Sequence, residues 1–194
     1  MTAAVDLPDR QDWTVEDLAR LPKDLRYELI DGRLILPSPT GFHQILGIEV
    51  VLALRAECPP DYAPVTDLSL QINERNEPRP DVVVVPVHQL NRSPVPAGEV
   101  ILAVEIISPD SHFRDMHAKT RVYAAAGIAR YWVIDPLFED GIVLTEYQPD
   151  AGGEYEIVSS TDKVFTTDVP FPVTIDLPAL TERRQAVLDR ARPQ

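Results

Sequence analysis

The apolar residues of this chain occur in two patterns, as short unbroken runs and as longer stretches with helical spacing. Residues 100–108 form an aliphatic run bounded by glycine and proline, which predicts a strand buried on both faces. Residues 79–86 repeat that pattern, and residues 130–135 form a third strand after a predicted helix that ends near Gly127. A helix between two strands indicates a crossover that returns the third strand to the same sheet.

Turn and capping residues predict the remaining elements. The Asp-Gly pair at 31–32 lies between two short strand patterns and predicts a tight hairpin, because such a turn needs positive φ angles. Thr14, three residues before Asp17, predicts the start of a short helix. The other predicted elements are a helix over 41–57, two short strands within 62–72, a hairpin of strands 142–148 and 155–160, apolar pieces near Phe165 and Val173, and a polar helix over about 178–190.

Two carboxylates interrupt the apolar runs. Glu105 lies in the middle of the 100–108 strand, where an ionised group is costly unless it is paired or bound to a metal. Asp81 lies at the beginning of the 79–86 strand, and two carboxylates brought together repel unless a divalent cation relieves the repulsion. The simpler alternatives are that Asp81 is a turn residue after Pro80 and that Glu105 pairs with an arginine.

Polar residues on two predicted helices have both structural and functional interpretations. Asp115, Lys119 and Tyr123 recur every four residues after the central strand and so line one helical face. An Asp115–Lys119 ion pair on a solvated surface explains this spacing without any function. His43, near the start of the 41–57 helix, is predicted to be a surface or capping residue rather than a catalytic one.

The composition is that of a folded, acidic protein. The 194 residues are 44% hydrophobic and 25% charged, which indicates a single globular domain over 1–194. The formal net charge of −13 argues against a surface that binds nucleic acid broadly, since phosphate binding depends mainly on Lys and Arg, but it is compatible with a local basic cleft. A single cysteine, no signal-peptide pattern and no run of ~20 apolar residues predict a cytoplasmic protein outside the membrane.

Five short motifs occur in a characteristic order. They are Tyr27-Glu-Leu-Ile-Asp-Gly32, Arg79-Pro-Asp81, Val104-Glu-Ile-Ile-Ser-Pro109, the helical set Asp115, Lys119, Tyr123 and Gly127, and Tyr131-Trp-Val-Ile-Asp-Pro136. This ordered set closely resembles the Uma-two family of restriction-endonuclease-like proteins, which belongs to the PD-(D/E)XK nuclease superfamily. The resemblance covers about residues 14–178, before the C-terminal helix of about 178–191. It implies a restriction-endonuclease-like fold of the α/β (α+β mixed) class, with a mixed central β-sheet flanked by helices.

The resemblance also implies a site for phosphodiester cleavage that depends on Mg²⁺ (or Mn²⁺) and lies at one end of the sheet. Asp81 matches the aspartate of the superfamily motif, and Glu105 matches its acidic position. The lysine that usually stands two residues after the acid is replaced here by Ile107. Lys119, on the following helix, is the candidate that takes over from it.

The chemistry explains why these residue types belong together. Phosphodiester hydrolysis needs a nucleophilic water and neutralisation of the charge that builds on the phosphate. Asp81 and Glu105 are expected to hold the cation, with the backbone carbonyl of Ile106 as a third ligand. Lys119 is expected to orient the water and stabilise negative charge. The supporting candidates are Glu28 and Asp115.

The resemblance, together with these residues, predicts a metal-dependent DNA endonuclease, with two alternatives. One is a non-catalytic member of the fold that acts as an oligomerising or regulatory module, which the acidic charge and Ile107 favour. The other is a hydrolase that uses Asp81 and Glu105 as an acid/base pair without metal. A homodimer is expected by analogy, because two sites related by a two-fold axis can cut both strands of a duplex. The local cleft expected to contact DNA includes residues such as Arg75, Arg79, Arg114, Lys119 and Arg121.

Overall fold

A mixed sheet lies at the centre of the molecule, which a computed structural model describes over residues 12–22, 25–108 and 113–191. The side chains of residues 113–116 are outside that description. In chain order the elements are α1 (Val15–Leu18), β1 (Glu28–Ile30), β2 (Arg33–Ile35), α2 (Gly41–Glu57), β3 (Tyr62–Thr66), β4 (Leu70–Gln71), β5 (Val82–Pro86), β6 (Val95–Pro96), β7 (Leu102–Ile106), α3 (Phe113–Ala125), β8 (Tyr131–Asp135), β9 (Val143–Pro149), β10 (Tyr155–Thr161), β11 (Val164–Thr167), β12 (Val173–Asp176) and α4 (Leu177–Ala191).

The central sheet has six strands in the order β10-β9-β8-β7-β5-β3. Strands β7 and β8 are parallel, and the other neighbouring pairs are antiparallel. Helix α3 makes the crossover between the two parallel strands, as the strand-helix-strand pattern predicts. Because β5 and β7 run in opposite directions, β5 starts and β7 finishes on the same side of the sheet, where Val82 is paired with Val104. This side is called the site end of the sheet.

The side chains of β7 alternate between two hydrophobic cores. Val104 packs with Leu46 of α2 in the core on one face of the sheet. Ala103 packs with Tyr123 of α3 in the core on the other face. Glu105 points to the α3 face, where it contacts Tyr123. The sheet is therefore covered on both faces, and the carboxylate of its central strand is enclosed beneath α3.

The β1–β2 hairpin brings a second carboxylate, that of Glu28, to the site end of the sheet. Its turn has positive φ at Asp31 (49°) and Gly32 (77°), as the Asp-Gly pair predicts. Leu29 exchanges two backbone hydrogen bonds with Glu77, of 3.0 and 2.9 Å, which attach the hairpin to the loop before β5. All three residues of β1 are buried, so Glu28 is held inside the molecule.

Helix boundaries follow their capping residues. The backbone N–H of Thr14 donates to the Asp17 carboxylate at 2.9 Å at the start of α1. The hydroxyl of Thr40 accepts the backbone N–H of His43 at 3.3 Å and begins α2. Helix α3 ends before Gly127, whose φ of 75° stops the helix.

The helices and strands expected from the sequence are confirmed in the described residues, with ends that differ by one or more residues. The run 100–108 forms a strand over Leu102–Ile106 only. The parallel pairing of β4 with β6 was not expected. Each strand contributes only two residues, which are too few to form a periodic pattern in the sequence. In the described ranges, no helix is both long enough and apolar enough to span a bilayer.

Candidate metal-binding and catalytic site

A cavity of about 480 Å³ opens at the site end of the sheet, where β5 begins and β7 ends. It lies between the β1–β2 hairpin, the first turns of α2, the end of β7 and α3. Its lining includes a titratable residue from each of these elements, Asp81 just before β5, and Ile106 at the end of β7. The titratable residues from the elements are Glu28, His43, Glu105 and Lys119.

Glu105 is held in this cavity by two residues of α3. The residue is 3% exposed. Its Oε2 accepts a hydrogen bond from Lys119 Nζ at 3.0 Å, and its Oε1 accepts one from the Tyr123 hydroxyl at 2.6 Å. The alternative that Glu105 pairs with an arginine is therefore wrong. The four-residue spacing of Lys119 and Tyr123 brings both donors to the same carboxylate.

Lys119 is a buried cation shared by two carboxylates. Its side chain is 9% exposed, and Nζ lies 2.8 Å from Glu28 Oε1 as well as 3.0 Å from Glu105. Glu28 Oε1 also accepts the backbone N–H of Arg79 at 3.0 Å, which connects the hairpin to the chain entering β5. A solvated surface position for Lys119 is wrong. Asp115, the other half of that alternative, has its side chain outside the described part of the chain.

Asp81 lies one residue before β5 and faces the end of β7. Its Oδ2 accepts the backbone N–H of Ile106 at 2.7 Å. Its side chain is 25% exposed, against 4% for that of Glu105, so it is the more accessible of the two predicted ligands. Asp81 therefore does more than follow Pro80 in a turn, because its carboxylate binds the neighbouring strand.

His43 belongs to this site, and its prediction as a surface or capping residue is wrong. Its side chain is 11% exposed. The ring Nε2 lies 2.9 Å from the carbonyl oxygen of Ile106 and 3.2 Å from Asp81 Oδ2. The available signal was its place in the first turn of α2, three residues before the inward-facing Leu46. That signal was weak because no other residue near His43 in the sequence suggests a site.

The excess of carboxylates changes the acidity of the whole cluster. Burial raises the pKa of Glu105 to about 8; the Lys119 cation opposes this rise, while Asp81 and Glu28 add to it. Burial alone would lower the pKa of Lys119, but Glu105 and Glu28 outweigh it and hold that pKa above its ordinary value. Lys119 is one cation among these carboxylates, so burial and the shortage of positive charge together hold the pKa of Glu105 above its ordinary value.

Two neighbouring groups respond to the same charges. Burial would lower the pKa of His43, but the hydrogen bond to Asp81, the charge of that carboxylate and the Ile106 carbonyl together raise it. Burial, and then the negative charge of Glu105, raise the pKa of the Tyr123 hydroxyl well above its ordinary value. Tyr123 is therefore a hydrogen-bond donor to Glu105 and not an acid at neutral pH.

The donor set at the end of β7 fits a hard divalent cation. Asp81 and the carbonyl of Ile106 offer oxygen donors, which hard cations prefer, and Glu105 lines the same cavity. Among the side chains of the described ranges, no group of three or more His, Cys, Asp or Glu converges as a preformed metal centre. The predicted set is compatible with this finding because one of its three donors is a backbone carbonyl. Mg²⁺ commonly uses one or two carboxylates and keeps several waters.

The basic residues around the cavity differ from the expected cleft. Arg79 lines the cavity, and so does Arg26, which the sequence did not single out. Arg75 and Arg121 do not line it; they contact Asp31 in the turn of the hairpin. The side chain of Arg114 is outside the described part of the chain.

Comparisons with known proteins agree with this architecture. A crystal structure described as "a putative nuclease belonging to DUF820 from Anabaena variabilis ATCC 29413" superposes with a TM-score of 0.69 at 20% sequence identity, covering 87% of this chain and 97% of that one. At this identity the match shows the shared fold. No curated protein matches the chain. Residues 15–180 match the Uma2 family, described as "Putative restriction endonuclease", and the chain belongs to that family.

Proposed function

We propose that this protein is a metal-dependent endonuclease that hydrolyses phosphodiester bonds in DNA, with Mg²⁺ or Mn²⁺ as its cofactor. The observation that carries the proposal is the position of Lys119. Its buried Nζ lies 3.0 Å from Glu105 in a cavity that Asp81 also lines. The family description and the nuclease-like fold support the same activity.

The proposed roles follow from the atoms that line the cavity. Asp81, Glu105 and the Ile106 carbonyl would hold the cation. When bound, a divalent cation supplies Lewis-acid polarisation of the phosphate and lowers the pKa of a bound water. Lys119 takes the place of the absent lysine at position 107 and would orient the attacking water and stabilise negative charge on the phosphate.

The residues behind Lys119 hold it in place. Glu28 accepts hydrogen bonds from Lys119 Nζ and from the backbone N–H of Arg79. Tyr123 donates to Glu105 from the helical turn after Lys119. A buried cation with two carboxylate partners has little rotational freedom, which is what precise positioning of a catalytic group requires. Glu28 therefore acts as a positioning residue in this proposal.

The charge distribution favours weak and local contact with DNA. The net charge of −13 opposes binding over a broad surface. Arg26 and Arg79 line the cavity, where both contact Asp67, and they would supply the cations for neighbouring phosphates. A homodimer in the cytoplasm remains part of the proposal, since two sites related by a two-fold axis would cut both strands.

The test is cleavage of supercoiled plasmid by the purified protein with Mg²⁺, with Mn²⁺ and with chelator. The variants are Glu105→Gln and a matched control, Glu146→Gln, which changes another buried carboxylate of the same sheet. We expect metal-dependent nicking by the wild type and the control, and none by Glu105→Gln.

Each other outcome has a defined meaning. Cleavage that survives chelator would favour a hydrolase that uses Asp81 and Glu105 without metal. Equal cleavage by the wild type and Glu105→Gln would identify a contaminating nuclease. No cleavage of single- or double-stranded DNA with any metal would leave the non-catalytic alternative in place of an enzyme.

A further inference from the structure

The ring of His43 lies between two oxygen atoms that the proposed metal site would use. Its Nε2 is 2.9 Å from the carbonyl oxygen of Ile106 and 3.2 Å from Asp81 Oδ2. The ring is nearly enclosed, with 11% of the side chain exposed, and it lines the same cavity. A nitrogen and two oxygens therefore converge on one small region at the end of β7.

These distances match those between neighbouring ligands of one metal ion. Two ligands at right angles around an ion with octahedral geometry and bonds of about 2.1 Å are about 3.0 Å apart. The same distances also fit hydrogen bonds, but a single Nε2–H cannot donate with good geometry to both oxygens. A cation at the point where the three donors converge would satisfy all of them at once.

The local structure holds the ring in this position. The Thr40 hydroxyl accepts the backbone N–H of His43 and fixes the first turn of α2. Gly47, one turn later, is buried, and a Cβ there would be 3.7 Å from the Ile106 side chain. Helix α2 therefore lies close against the end of β7, near enough for His43 to reach the strand carbonyl.

We infer that His43 is a direct ligand of the bound metal through Nε2, together with Asp81 and the Ile106 carbonyl, and that it makes the site prefer Mn²⁺ to Mg²⁺. This inference rests on the proposed metal dependence. An imidazole ligand favours first-row transition ions, whereas a site made only of oxygen and water suits Mg²⁺. For Nε2 to bind the ion, the ring carries its proton on Nδ1.

The first test measures binding of Mn²⁺ and of Mg²⁺ to the full chain by titration calorimetry. Removing a group that only supports a metal ligand typically weakens metal binding ~10–100-fold. His43→Ala should weaken Mn²⁺ binding by at least that factor and Mg²⁺ binding by less. The control is Gln44→Ala, an exposed residue that lines the same cavity one position along α2. It should bind both metals as the wild type does.

The second test needs no loss of binding. Electron spin-echo spectroscopy of the Mn²⁺-loaded wild type should show coupling to a directly bound imidazole nitrogen. His43→Asn, which keeps a polar side chain and serves if His43→Ala does not fold, should lose that coupling. Absence of the coupling in the wild type, or its persistence in His43→Asn, would overturn the inference.

The outcomes separate this inference from the proposed function. If the wild type binds metal and His43→Ala binds both ions as tightly or more tightly, His43 is not a ligand, while the metal-dependent nuclease proposal stands. If the wild type binds neither ion, both the ligand role of His43 and metal dependence are overturned together.

Discussion

Two strands of the central sheet carry a buried carboxylate, and only one of them lies at the cavity. Glu105 on β7 contacts a lysine and a tyrosine and lines the cavity. Glu146 on β9 is 5% exposed and accepts one hydrogen bond of 3.3 Å from the indole of Trp132 on the adjacent strand. Burial of a carboxylate is therefore not by itself a sign of a site in this fold. The combination with a buried cation and an open cavity is what distinguishes Glu105.

Different partners offset the free-energy cost of burying Glu105 and that of burying Glu146. Around Glu105, Lys119 carries one positive charge for two buried acids, so the local charge is not balanced. A buried pair gains stability only when its charges and hydrogen bonds are well matched. The unbalanced charge at Glu105 is what a metal ion would neutralise.

The largest effect is expected from removing the cation next to Glu105. Lys119→Ala should lower the rate of metal-dependent cleavage by ~10²–10⁴-fold, the usual loss for a positioned proton-transfer or charge-stabilising group. It also leaves two buried carboxylates without their cation and should destabilise the fold by about 3–5 kcal/mol. Single-turnover rates measured well below the melting temperature of the variant separate the two effects. Unchanged turnover would show that Lys119 only balances charge.

A second variant tests whether Lys119 replaces a lysine on the strand. The backbone N–H of Ile107 donates to the carbonyl of Ile134 at 2.9 Å, so the chain stays paired with β8 one residue beyond the end of β7. Side-chain alternation then puts residue 107 on the Glu105 face. Ile107→Lys combined with Lys119→Ala should recover part of the lost rate. If the double variant folds but recovers none of the rate, a lysine at position 107 is not equivalent to Lys119.

Stabilisation of the fold by a bound metal ion should also distinguish Glu105 from Glu146. Ligand at about 100 times its dissociation constant stabilises a protein by about 2.7 kcal/mol. Thermal melting with Mg²⁺ or Mn²⁺ should therefore raise the melting temperature of the wild type and of Glu146→Gln. Glu105→Gln and Asp81→Asn should show little or no rise. Equal stabilisation of all four proteins would place the metal elsewhere.

The sequence was sufficient to predict most of the elements and to select Glu105 and Lys119 as candidates for one site. The carboxylate in an aliphatic run and the four-residue spacing of Lys119 and Tyr123 both follow one-dimensional rules, and the structure brings all three side chains together. His43 could not be found in this way. His43 and Ile106 are 63 residues apart in the sequence. The 2.9 Å contact between the His43 ring and the Ile106 carbonyl depends on how closely α2 packs on the sheet. Tertiary packing of this kind leaves no periodic signal.

The basic cleft was misjudged for a related reason. Arg75 and Arg121 were expected to line the cleft, but their side chains contact Asp31 in the turn of the hairpin. Arg26 lines the cavity because the hairpin docks against the loop before β5. Which face of a hairpin meets the sheet is a property of its docking, and the sequence around Arg26 does not contain it.

Stability in chelator should depend on pH because of the charge imbalance at Glu105. Its pKa is raised by burial to about 8 in the folded protein, above its ordinary value, so the folded state holds a proton that the unfolded state releases at lower pH. Stability should therefore fall as the pH rises between about pH 5 and about pH 8. His43, whose folded-state pKa is also raised, acts in the same direction.

Melting curves in chelator across this range provide the measurement. Glu105→Gln should flatten the dependence, because the glutamine has no proton to lose. Added Mg²⁺ or Mn²⁺ should also flatten it, since the cation replaces the missing positive charge. A wild-type protein whose stability rises with pH through this window would show that Lys119 fully compensates the carboxylates.

The smallest effect is expected at Glu146. Its carboxylate accepts a long hydrogen bond from Trp132 Nε1, and a glutamine side-chain oxygen can accept the same bond in the same volume. Replacing a buried carboxylate by a neutral group of the same shape removes the cost of burying charge. Glu146→Gln should therefore change the free energy of unfolding by no more than about 1 kcal/mol, in the stabilising direction if at all. Chemical denaturation at neutral pH measures this, and plasmid cleavage by the variant should equal that of the wild type. A loss of cleavage as large as that of Glu105→Gln would mean that the two carboxylates are coupled through the sheet, and the distinction between them would fail.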